Sequence, residues 1–253
     1  MLVRFFIFLL GLSVGSFLNV LIYRLPRHLS VVWGRSLCPK CRKKIAWFDN
    51  LPLLSFVFLK GRCRACRSPI SWQYPLVELL TAVLFVLGAR PYLSDLSNLG
   101  TAQVGLTLIL FSSLIAIFFI DLEQQIIPDE ILLPVAVLFV LSSLLTTNYW
   151  LLATGIASSL FLFLIWALTK GRGMGLGDVK LAFLMGLVLG YPKVIVAFYL
   201  AFLTGAIVGV ILILAKKARF GQKIAFGPFL AAATIITVLW GEKILSLAQK
   251  FLF

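Results

Sequence analysis

The sequence predicts an all-α polytopic membrane protein with eight transmembrane helices and one extramembrane loop domain after the first of them. Three observations carry that prediction. Of 253 residues, 61% are hydrophobic and only 13% charged, whereas soluble domains run at about 25% charged. Several apolar runs approach the roughly 20 residues that cross a ~30 Å hydrocarbon core. The basic residues also gather in alternate loops, as they do where positive loops stay in the cytosol. A barrel needs alternating strands of about ten residues, and the chain has none.

Residues 2–23 read as the first span, with Gly11 and Gly15 four apart for close helix packing. Arg4 followed by an apolar run resembles a signal peptide, but no small-residue cleavage site precedes Arg24, so a retained helix is expected. Residues 24–74 are the one extramembrane piece long enough to be a domain. Within it, 51–59 is apolar but too short to span, so it is expected on the bilayer surface or on the loop's own core. Residues 75–253 form the membrane domain, with spans at 75–89, 101–120, 131–145, 150–168, 179–191, 194–215 and 226–245. The run 179–191 is the awkward one, at about 20 Å of helix against ~30 Å of hydrocarbon. Either it continues through a kink at Pro192, or its inner end starts below the membrane surface in a water-lined cavity.

Of 23 lysines and arginines, 11 lie between Arg24 and Arg67, three flank a glycine turn (Lys170, Arg172 and Lys180), and four lie between Lys216 and Lys223. With both termini outside, these stretches fall on one side, which then holds 18 basic residues against five. That asymmetry is the positive-inside signal. The net charge of +14 therefore reports topology, and nucleic acid is excluded as a partner.

Cys38-Pro39-Lys40-Cys41 and Cys63-Arg64-Ala65-Cys66 hold all four cysteines, as two CxxC knuckles. Four thiolates at this spacing suit a closed tetrahedral zinc site. The alternatives are two disulfides or a redox dithiol, and a reducing cytosol disfavours the disulfides. With no open coordination position, the metal is expected to organise the loop and take no part in chemistry.

Two acids stand at helix mouths. Asp121 follows the third span, and Asp178 ends the glycine turn Gly173-Met174-Gly175-Leu176-Gly177-Asp178 before the sixth. The topology puts both on the cytosolic side at similar depth. Acids there are expensive unless they have a partner or a task. Two carboxyl groups within hydrogen-bonding reach share a proton, which is the requirement for aspartic-protease chemistry. Asp178 is equally suited to be a helix N-cap. Asp121 ends a helix, where the macrodipole disfavours an anion, so a cap does not explain it. Asp129 reads as an N-cap for the fourth span, Glu123 as a solvated acid, and Asn19 as an interhelical hydrogen-bonder. Glu78 reads as a snorkelling acid or part of a polar cavity. His28 is the only histidine, so no Ser-His or Cys-His nucleophile can be assembled.

Six motifs in order resemble the type IV prepilin peptidases (leader peptidase and N-methyltransferase): GLSVGSFLNVLIYRLP, the two-knuckle loop with WFDNLPLLSF, SPISWQYPLVE, DLEQQIIPD, GMGLGDVKL and FGPFLA. The resemblance covers nearly the whole chain and implies an intramembrane aspartic protease of the GxGD kind. It implies Asp121 and Asp178 as the catalytic pair, and prepilins or pseudopilins as substrates, cut between a basic leader and a hydrophobic helix. It further implies the bacterial inner membrane, with site and zinc loop cytosolic, and methylation of the new N-terminus from S-adenosylmethionine. A basic leader would be repelled by the basic zinc loop, whose charge better suits anionic lipid headgroups. The other readings are a cleavage-only preflagellin-type peptidase, against which the intact cysteine loop speaks, and a proton- or ion-coupled transporter, which explains neither the ordered motifs nor the four-cysteine site.

Overall fold

The computed structural model describes residues 2–34, 36–92, 98–171, 173–217 and 224–252. Of the basic residues counted above, Arg35, Arg172, Arg219 and Lys223 lie outside these ranges. The regular structure is helical, with two isolated antiparallel bridges, Leu37 with Lys44 and Arg62 with Pro69. Nine α-helices run in order among the described residues: α1 (Leu2–Arg24), α2 (Leu54–Phe58), α3 (Gln73–Ala89), α4 (Asn98–Gln124), α5 (Asp129–Leu145), α6 (Tyr149–Leu168), α7 (Leu176–Leu189), α8 (Lys193–Leu214) and α9 (Gly227–Leu252). The chain divides within α4 into an N-terminal unit, Met1–Ala116, and a C-terminal unit, Ile117–Phe253.

Six of these helices are long and apolar enough to cross a membrane: α1, α3 with the 3-10 turn Arg90–Tyr92 that extends it to 20 residues, α4, α6, α8 and α9. The other two expected spans exist as shorter helices. α5 has 17 residues and α7 has 14, or about 26 and 21 Å of rise.

In the N-terminal unit α1 packs against α3, and glycine sets the approach. A Cβ on Gly11 would lie 2.5 Å from the Ala82 Cα, and one on Gly15 would lie 2.6 Å from the Glu78 Cα. Small residues let backbones meet in this way where lipid offers no hydrophobic drive. Asn19 donates to the Tyr74 carbonyl at 3.1 Å, the interhelical bond expected of it. The opposite face of α1, with Phe5, Phe6, Leu10 and Phe17, is exposed. α2 also leaves Val57 and Phe58 exposed, at 70% and 80%. Phe56 of the same helix is half-buried and meets the Trp72 ring at 5.0 Å, so the segment packs on the loop through one face and leaves an apolar face open.

In the C-terminal unit α7 is the central helix, in contact with α5, α6, α8 and α9. Nine of its 14 residues are buried. A Cβ on Gly186 would meet the Thr154 carbonyl at 2.5 Å, and the Thr154 hydroxyl donates to the Gly186 carbonyl at 2.9 Å. The Ser159 hydroxyl donates to the Val179 carbonyl at 3.2 Å. Of the two options for the short span, continuation through Pro192 is not taken. α7 stops at Gly190, whose φ of +63° suits glycine, and α8 begins at Lys193.

Candidate active site

Asp121 sits in the last turn of α4 and is 4% exposed. The helix ends just beyond it, where Gln125 turns left-handed at φ +56° and its amide donates to the Asp121 carbonyl at 2.9 Å. The Asp121 side chain is therefore held at a helix C-terminus, the end that disfavours an anion. Its Oδ2 is buried without a hydrogen-bond partner at full geometry among the described residues. A buried polar atom left open in this way asks for an explanation, and a catalytic role is one.

Asp178 lies one turn into α7 and is 7% exposed. Gly175, in extended conformation, is the N-cap, so Asp178 is the third helical residue and not the cap itself. It still serves the helix end, because its Oδ2 accepts the Gly175 amide at 3.0 Å. The expectation of a cap thus holds in function one turn further in. Asp121 and Asp178 belong to the same unit, and the charge of Asp121 acts on Asp178.

The glycine turn has a steric purpose. A Cβ on Gly177 would lie 3.0 Å from the Ile127 Cβ, and one on Gly227 would lie 3.0 Å from the Ile127 Cδ1 and 2.6 Å from the Asp121 Oδ2. One isoleucine from the link between α4 and α5 therefore fits against glycines at the starts of α7 and α9. Ile127 and Gly227 lie in the motifs DLEQQIIPD and FGPFLA, but beyond the Gly-Pro dipeptide, which suits a helix start, the sequence did not say what either residue does.

Asp129 corrects the expectation made for it. Pro128 is the N-cap of α5, and the Asp129 carboxylate pairs with Lys180 of α7 at 2.8 Å. Both side chains are about half exposed, at 47% for Lys180 and 49% for Asp129, so solvent screening leaves the pair little net stabilisation.

The four cysteines of the N-terminal unit come together, with Sγ atoms all within 4.8 Å of one another and no disulfide among them. The two knuckles are built alike. The Cys38 and Cys63 amides donate to the Lys43 and Ser68 carbonyls, and each knuckle closes on a left-handed arginine, Arg42 at φ +56° and Arg67 at φ +55°. Tetrahedral bonds of about 2.3 Å put sulfurs about 3.8 Å apart, and the Cys38 and Cys66 sulfurs are 3.8 Å apart. The donor set fits a metal ion. A backbone hydrogen bond from Cys41 leads the forces that bring the Cys38 thiol down to about 6. For Cys41 the Lys43 backbone lowers the thiol, but burial and the neighbouring thiols outweigh it and push it up to about 11. Thiols this close resist ionising together unless a cation balances them. Arg64, within the second knuckle, forks onto Asp49 at 2.7 Å and ties the knuckle to the Trp47–Asn50 turn.

A cavity of about 1500 Å³ lies wholly in the N-terminal unit, with Asn19, Tyr23, Arg24, Asp49, Tyr74 and Glu78 in its lining. Glu78 is buried and accepts the Leu53 amide at 2.8 Å. Leu53 is a non-glycine residue at φ +59°, where the Leu54 amide bonds back to the Pro52 carbonyl at 2.6 Å. Strained backbone of this kind collects at functional sites. Of the two expectations for Glu78, the polar cavity holds and snorkelling does not.

Residues 9–91 match the Bacterial Peptidase A24 N-terminal domain, and residues 108–210 match the Type IV leader peptidase family. Curated relatives are alike over nearly their whole lengths. The prepilin leader peptidase/N-methyltransferase of Aeromonas salmonicida (strain A449) is 37% identical, over 94% of this chain and 91% of the relative. The protein of the same name from Bacillus subtilis (strain 168) is 36% identical, over 96% and 97%. The one from Pseudomonas aeruginosa is 34% identical, over 93% and 90%. No solved structure matches the chain.

Proposed function

Because the chain belongs to the type IV leader peptidase family, we propose that it cleaves the basic leader from prepilins or pseudopilins and methylates the new N-terminal residue. The observation that carries the cleavage reading is the burial of Asp121 and Asp178 in one helical unit, where the charge of Asp121 reaches Asp178. Closed to hydrogen-bonding reach around a bound substrate, the two carboxyl groups would share one proton. The ionised member takes a proton from water as the water oxygen attacks the scissile carbonyl carbon, while the protonated member gives its proton to the carbonyl oxygen. Collapse of the tetrahedral species breaks the C–N bond and passes a proton to the leaving amine, which becomes the N-terminus of the mature pilin.

For the second activity the donor is S-adenosylmethionine, which supplies an activated methyl group when bound. The N-terminal cavity is the place offered for it. Buried Asn19 and Glu78 would face a cationic, polar ligand there, beside the ring of Tyr74. The metal at Cys38, Cys41, Cys63 and Cys66 is assigned as structural zinc, an ion that four closely grouped thiolates suit. Residues 24–74 form a cytosolic loop domain between the first helix (1–23) and the membrane domain (75–253). The eight helices other than α2 cross the inner membrane, α7 with its inner end below the membrane surface, and the site and zinc loop lie on the cytosolic face.

The test uses the purified full-length protein in lipid vesicles with a model prepilin, followed by mass spectrometry. Leader loss plus one methyl on the product is expected, and omitting S-adenosylmethionine should remove the methyl alone. An uncleaved prepilin under both conditions would reject the assignment.

A further inference from the structure

The closing motif FGPFLA is left without a task by the two aspartates, yet the structure brings its glycine to one of them. α9 starts at Gly227. In its first turn the Phe229 and Leu230 amides both donate to the Phe226 carbonyl, at 3.0 and 3.2 Å, and Pro228 has no amide hydrogen. Gly227 therefore carries the one amide of that turn with no acceptor inside the helix. The Gly227 backbone is the hydrogen-bonding group that the Asp121 carboxylate meets, and the Asp121 Oδ2 is the buried oxygen otherwise left open. The alignment is short of full hydrogen-bond geometry, as contacts in substrate-free sites often are before they tighten. The positive end of a helix is also where an anion is held best.

We propose that Gly227 is a positioning residue of the catalytic pair. Its amide fixes the Asp121 Oδ2, leaving the other oxygen for water and for Asp178. Asp178 has the matching arrangement, with its own Oδ2 on the Gly175 amide at the start of α7. Each carboxylate is thus anchored by a glycine at a helix start, and Ile127 fits against Gly177 and Gly227 between the two. Glycine at position 227 leaves the Asp121 carboxylate its place, because a Cβ would stand 2.6 Å from the Oδ2. What that Cβ meets are the ends of two flexible side chains, Asp121 and Ile127. An alanine is accommodated by swinging the carboxylate aside, with the helices left in place.

This inference rests on reading Asp121 and Asp178 as the protease pair, and the experiment separates the two. Gly227→Ala is made in the full-length protein and compared with Asp121→Asn and Asp178→Asn on a model prepilin. The expected result is a melting temperature close to the parent's, KM little changed, and kcat down about 100-fold, the loss that a misplacement of about 1 Å brings. Unchanged kcat in Gly227→Ala, with both Asn variants inactive, overturns the Gly227 assignment alone. Cleavage by either Asn variant overturns the reading beneath it. If Gly227→Ala melts early, the same substitution is made in an Asp121→Ala background. There it should cost clearly less melting temperature than in the parent, because only the end of Ile127 still stands in its way. An equal or larger drop in that background would place the clash elsewhere and overturn the proposal.

Discussion

At the scale of the residue, the structure separates acids and glycines that look alike in the sequence. Asp121 stood out because a helix C-terminus repels it, and it is buried with an open oxygen. Asp178 could be read either way, and the structure shows why: it bonds the Gly175 amide and also feels Asp121. Asp129 was misread because a proline ahead of an acid hides which residue caps, and its pairing with Lys180 spans 51 residues of sequence. The glycines divide by what a side chain would strike. Gly186→Ala drives a Cβ into the Thr154 carbonyl and the Gly155 Cα, at 2.5 and 2.7 Å, so a loss of about 1–3 kcal/mol is expected from overpacking. Gly105→Ala meets nothing within 4 Å inside α4, so a gain of up to about 1 kcal/mol is expected from helix propensity. Thermal melts in one detergent compare the two, and the opposite signs are the point of the comparison.

At the scale of the element, the short sixth span was legible as a problem and not as a solution. Hydrophobic runs give length, but whether a short helix faces lipid or protein depends on its neighbours. α7 is packed against four other helices, so it does not have to match the bilayer by itself. The cysteine loop was the most legible element, because ligand type and spacing are local in sequence. The strained turn at Leu53 and its bond to Glu78 were not legible, since 25 residues separate them. For this loop, Cys38→Ser is expected to lower bound zinc from about one equivalent to a small fraction, measured by emission spectroscopy. Limited proteolysis should then cut within 36–74 faster than in the parent. Acidification should release the metal from the parent, since protons compete for the thiolates, and zinc retained at a pH well below neutral would argue against a thiolate site.

At the scale of the whole molecule, the chain is two helical units with the cysteine loop and cavity in one and both aspartates in the other. That division was not visible in the sequence, which breaks at the loop, whereas the structure breaks inside α4. Membrane character followed from composition, and the six helices long enough to span bear it out. The charge asymmetry predicts that the turn between α5 and α6 faces outward and the loop after Lys216 faces the cytosol. Reporter domains fused after Thr147 and after Lys217 should report opposite compartments. Everything proposed about cleavage depends on the aspartate pair acting as a unit. The most direct measurement is therefore leader cleavage by Asp121→Asn and Asp178→Asn, each inserted in vesicles and each shown folded by its melt. The account predicts no cleavage from either variant and no further effect when the two are combined; leader removal by either single variant would contradict it.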